Sequence, residues 1–181
     1  MKKTIALYIL TITSSYLFSN VDSAIINRKY NYINYTEIGI SNQTTNFNNP
    51  DINYSFQTVN GILINQKTSI GIGIGKDMFF SYNLIPLFLD LRWNLGNKKH
   101  GFFLNLSTGY LISNNNSLIK YSSFVNPQIG YRIPLIKSTE LIFSLGLQYR
   151  YIAFKSYEDC ATGEKLFDNK YYYPFKMGFK F

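Results

Sequence analysis

From Tyr171 to Phe181 (YYYPFKMGFKF) an apolar or aromatic side chain stands at every odd position. A strand sends successive side chains to opposite faces, so Tyr171, Tyr173, Phe175, Met177, Phe179 and Phe181 share one face. Tyr172, Lys176, Gly178 and Lys180 share the other. The segment's length matches the roughly 9–11 residues with which a tilted strand crosses a bilayer. The same alternation sets Ile85, Leu87, Leu89, Leu91, Trp93 and Leu95 against Asp90, Arg92 and Asn94. It also sets Leu141, Phe143, Leu145, Leu147, Tyr149 and Tyr151 against Ser144, Gly146, Gln148 and Arg150. Val125, Ile129, Tyr131 and Ile133 oppose Asn126, Gln128, Gly130 and Arg132, and Ile70, Ile72 and Ile74 oppose Ser69, Gly71, Gly73 and Gly75. Eight strands are predicted, at about 30–40, 54–65, 68–76, 84–95, 101–112, 123–134, 140–152 and 171–181, with the alternation least regular in the first two.

The connections alternate as well. Those at 66–67, 96–100 and 135–139 are tight, those at 41–53, 113–122 and 153–170 are long and polar, and 77–83 is intermediate. Short turns on one side and long loops on the other are the habit of membrane barrels, so the termini and tight turns are assigned to the periplasmic side and the long loops to the outside.

The polar faces carry Glu37, Asp90, Arg92, Arg132, Glu140, Arg150, Lys176 and Lys180. An eight-stranded barrel is just wide enough inside to be filled by side chains. Unpaired buried charge is costly, so Glu37, Asp90, Arg92, Arg132, Arg150 and Lys176 are expected to form an interior ionic network that leaves a pore closed or at most leaky. The fold class read from the pattern is all-β: an eight-stranded antiparallel up-and-down transmembrane β-barrel.

Ahead of the strands, Lys2 and Lys3, the apolar run from Ile5 to Phe18 and the polar stretch to Ala24 have the layout of a cleaved signal peptide. Cleavage after Ser23 is expected, dividing the chain into 1–23 and a barrel domain at 24–181. The net charge is +8, or +7 without Lys2, Lys3 and Asp22. In an exported chain a basic balance suits lipid phosphates rather than nucleic acid. Aromatic residues make up 18% of the sequence, which suits the two interfacial belts of a barrel. The single cysteine, Cys160, excludes an intramolecular disulfide and a cysteine metal site.

Few residues suggest chemistry. The glycines of SIGIGIG (Ser69 to Gly75) lie inside an alternating strand rather than before a helix, so no nucleotide site is read there. Asp90 and Arg92 share an inward face and read as an ion pair. The only histidine, His100, falls in the tight turn GNKKHG beside Lys98 and Lys99, away from an external rim where lipid-directed chemistry would take place. No catalytic, metal or cofactor residues are assigned. The loop at 153–170 offers Tyr157 and Phe167 as candidate anchors for an external partner.

The strand count, the loop alternation and the terminal phenylalanine, with the stretches VNGILIN, SIGIGIG, IPLFLDLRW and KMGFKF, resemble the small eight-stranded outer-membrane barrels. OmpX and the membrane domain of OmpA exemplify that family. The resemblance implies location in the cell outer membrane and contact with outer-membrane lipid or lipopolysaccharide. It also implies handling by the barrel-assembly machinery, with Phe179 and Phe181 as the assembly signal. The expected role is structural, or binding and adhesion through external loops to a protein or surface ligand, with no enzymatic activity. A lipid-modifying enzyme and a narrow channel are the alternatives, and a soluble ligand-holding barrel ranks last because its faces would be reversed.

Overall fold

The computed structural model describes residues 31–43, 52–79, 83–96, 100–113, 119–136, 138–154 and 167–181. The expected signal peptide, Cys160 and Tyr157 lie outside them. The strands are β1 (Asn31–Gln43), β2 (Ile52–Leu63), β3 (Thr68–Met78), β4 (Asn83–Asn94), β5 (Gly101–Ser113), β6 (Ile119–Ile136), β7 (Thr139–Gly146), β8 (Gln148–Phe154) and β9 (Phe167–Lys180). Each pairs antiparallel with its neighbours, and β9 returns to β1 to close the sheet.

β7 and β8 are two parts of one crossing, since both pair with β6 on one side and β9 on the other. The break falls at Leu147, whose N–H still bonds the Pro127 carbonyl at 3.0 Å. The reason is chemical: the unchanged register puts Pro127 opposite Leu147 and Pro174 opposite Gly146, and proline has no N–H to give to the ladder. The barrel therefore has eight staves.

Registers fix its girth. The paired residues run from Ile133 to Leu141, Phe179, Thr36, Thr58, Ile74, Leu87 and Tyr110, and return to β6 at Ser123, ten residues from the start. Eight strands with that stagger tilt by about 40° and enclose a backbone cylinder of about 8 Å radius.

The surface is inside out. Asp90 is 2% exposed and its neighbour Leu89 55%. Odd residues of β1 and β2 point inward, which resolves the two strands whose faces the alternation left irregular. Outward residues form an apolar belt between two aromatic girdles. Tyr32, Trp93, Phe102, Tyr131, Phe179 and Phe181 ring the end with the tight turns, and Tyr54, Tyr110, Tyr149, Tyr171 and Tyr173 ring the other. On β5, Phe102 and Tyr110 are separated by about 20 Å along the axis.

The strands extend further than the sequence pattern predicts, and furthest toward the long loops. β1 reaches Gln43, β6 begins at Ile119, and β9 begins at Phe167. Phe167 therefore belongs to a strand, paired with Ala153, and not to the loop at 153–170. Polar residues beyond the lipid belt lose the apolar alternation, yet their backbones continue the ladder. At the other end β2 stops at Leu63 and the turn occupies 64–67, where the Asn65 side-chain oxygen accepts the Lys67 and Thr68 amides at 2.8 and 2.7 Å.

Two inward rings fill space that glycines leave. A Cβ at Gly73 would collide with the Phe88 ring, and one at Gly130 with the Phe103 ring. Phe88 is held in turn by an edge-on contact with Phe124 at 5.8 Å. Gly73→Ala should cost about 1–3 kcal/mol in urea unfolding from vesicles, and adding Phe88→Leu should restore most of the loss.

Candidate functional site

The alternation of the strands delivers charges from different parts of the chain to one axis. Near mid-lumen, β4 supplies Asp90 and Arg92 and β1 supplies Glu37, all buried. The Arg92 guanidinium pairs with Asp90 Oδ1 through Nε at 2.8 Å and with Glu37 Oε1 through Nη1 at 2.8 Å. Its flat face lies 3.8 Å from the centre of the Tyr35 ring. The remaining oxygen of Asp90 accepts Asn105 Nδ2 at 2.7 Å and Ser107 Oγ at 3.0 Å. The remaining oxygen of Glu37 accepts Gln57 Nε2, and Gln57 Oε1 in turn accepts Lys176 Nζ at 3.1 Å. Lys176, Gln57, Glu37, Arg92, Asp90, Asn105 and Ser107 thus form one connected network.

Glycines give the network its room. A Cβ at Gly39 would press on the Lys176 stem, and one at Gly178 on the Glu37 stem.

Toward the long loops, Arg150 Nη2 bonds Asp77 Oδ2 at 2.6 Å and Gln148 Oε1 at 2.9 Å. The guanidinium lies against two rings, Tyr172 at 4.4 Å and Phe79 at 4.9 Å, which meet each other edge-on at 5.8 Å. Toward the tight turns, Glu140 accepts Lys180 Nζ at 3.0 Å and stands 3.7 Å from Arg132 Nη1. The six residues of the expected interior network are therefore all inside, but in three layers. Arg150 and Arg132 belong to layers separate from the Arg92 group.

Asp77 was assigned to a connection by sequence, yet it sits on β3 and is the partner of Arg150. The signal was present, because the alternation of SIGIGIG carries on through Lys76 outward to Asp77 inward. Gln57 and Tyr35 were not singled out either; nothing marks an amide or a phenol as a bridge until its neighbours are known.

The arrangement sets opposite charges in contact. Among the described residues, two lumen cavities flank the Arg92 layer, each with space for about one water molecule. No three His, Cys, Asp or Glu side chains among the described residues are grouped to hold a metal ion. His100 is exposed in the bend before β5, at the end of the tight turns, while its lysine neighbours lie outside the described residues. Phe179 and Phe181 face outward in the girdle, 42% and 55% exposed. Phe167 is placed by its backbone alone.

Arg92→Met should be strongly destabilising, by about 3–5 kcal/mol in equilibrium unfolding, because it strands Glu37 and Asp90 in the lumen. The double variant R92M/D90N should recover much of that loss, since Glu37 then balances Lys176 through Gln57.

No family model and no curated protein matches the sequence. Among solved structures the chain is similar to Neisserial surface protein A (NspA), at 10% identity and a TM-score of 0.61, over 83% of this chain and 97% of that one. It is also similar to the N-terminal β-barrel domain of Pseudomonas aeruginosa OprF, at 13% identity and a TM-score of 0.47, over 81% of this chain and 97% of that one. The P. aeruginosa outer membrane protein OprG gives 11% identity and a TM-score of 0.42, over 84% of this chain and 95% of that one. The likeness to NspA is one of backbone geometry, and it agrees with the strand count and closure above: the chain has the fold of the small eight-stranded outer-membrane barrels.

Proposed function

We propose that this protein is an integral outer-membrane barrel whose work is structural or is done by its long external connections, and that it is not an enzyme. The observation that carries the reading is the inversion of the surface: charges paired inside and a largely apolar belt outside, bounded by two aromatic girdles. Lipid rather than water is the solvent that such an exterior suits. In this reading the tight turns face the periplasm, the connections after β1, β5 and β8 face outward, and the outward girdle meets lipopolysaccharide. The outward aromatic end of β9 is then the part offered to the barrel-assembly machinery. NspA is described as a surface protein, which accords with loops presented to the outside.

A narrow channel is the weaker reading, because the Arg92 layer and the cluster of Arg150 with Tyr172 and Phe79 fill the lumen at two heights. Lipid-directed catalysis is weaker still: the one histidine is at the end opposite the long connections.

In the detergent-extracted outer-membrane fraction, the unboiled protein should migrate differently from the boiled one on an SDS gel; a soluble protein without such a shift would sink the proposal. In planar bilayers the wild type should give no steady conductance. A reproducible open level that changes on replacing Arg92 or Lys176 would favour the channel.

A further inference from the structure

One part of the outward belt is not apolar. On β1 and β2, Asn34, Thr36, Thr58 and Asn60 point away from the lumen, beside Tyr32 of the tight-turn girdle. Elsewhere on the outward face, among the described residues, Lys76 stands beside the long-loop girdle and Thr108 lies between the girdles, its hydroxyl donating to the Phe124 carbonyl at 3.1 Å. Strand rise and tilt put Asn60 roughly 6 Å inside the girdle, near the edge of the hydrocarbon.

The hydrogen bonds within this patch are directional. Asn34 Nδ2 donates to the Val59 carbonyl at 3.3 Å, which fixes that amide with its nitrogen toward β2. The same nitrogen donates to Asn60 Oδ1 at 2.9 Å, and Tyr32 Oη donates to that oxygen at 2.6 Å. Asn60 must therefore present oxygen to its neighbours and turn its own NH2 away from them. Asn34 Oδ1 accepts Thr36 Oγ1 at 3.1 Å, and Thr58 Oγ1 accepts Asn34 Nδ2 at 3.2 Å. The amide oxygens are occupied, while Asn60 Nδ2 has no acceptor among the described residues.

A donor at the hydrocarbon edge needs an acceptor, and water is scarce there. We infer that Asn60 Nδ2 donates to an ester carbonyl of a glycerophospholipid in the periplasmic leaflet, making the β1–β2 face a lipid-binding site. The inference rests on the membrane reading above. The ester carbonyl is acceptor-only and lies at this depth.

The test compares full-length protein in vesicles of diacyl phosphatidylcholine and of its dialkyl-ether analogue, which lacks the carbonyls. Wild type should unfold in urea about five-fold faster in the ether lipid. Asn60→Leu should unfold at one rate in both, and Thr108→Val should keep the wild-type difference. Equal wild-type rates, or a difference that survives N60L, would overturn the contact. So would a difference that changes with the protein-to-lipid ratio, which would point to a second copy. Heat-dependent gel mobility in both lipids establishes insertion separately; its absence would bring down the membrane reading and the contact with it. Should N60L fail to fold, cross-relaxation from the wild-type Asn60 side-chain NH2 in lipid nanodiscs decides the matter. Transfer to glycerol protons is expected, and transfer to acyl-chain protons alone would overturn the assignment.

Discussion

Closure of eight strands with a ten-residue stagger is the constraint on which everything else here depends. It leaves the sheet no open edge, and it sets a lumen too narrow for a water column yet too wide for glycine alone. Side chains must fill that space, and the alternation that gives lipid an apolar exterior sends the polar ones inward. Large and small residues then interlock across the lumen, with Phe88 over Gly73 and Phe103 over Gly130.

Inside so small a cylinder, electrostatics leaves few options. Arg92 is desolvated on all sides, and two carboxylates, an aromatic face and a chain of amides share the compensation. Arg150 meets the same requirement differently, with one carboxylate and two rings. These contacts tie the lumen charges to one another, while Arg150 Nε and Nη1 keep no hydrogen-bond partner among the described residues.

Most of the barrel was legible in the chain. Strands four to eight have sharp faces because lipid tolerates only apolar outward residues at their middles. Where a strand leaves the lipid that filter is lost, which is why β6, β8 and β9 run further than the pattern indicated and why Asp77 looked like part of a connection. The break between β7 and β8 is not visible in that crossing's own residues, since it comes from Pro127 and Pro174 on its two neighbours.

The candidate site was legible as a set of inward charges and illegible as a network. Period-two alternation by itself determined the fold class, the inward or outward sense of most residues and which charges enter the lumen, because those follow from local backbone geometry and the solvent on each face. Only the tertiary structure decided that Arg92 joins Glu37 while Arg150 joins Asp77, that Gln57 carries Glu37 to Lys176, and that Asn60 Nδ2 has no acceptor among the described residues. Those pairings depend on the register of strands far apart in sequence, and a one-residue slip of any strand would exchange its two faces.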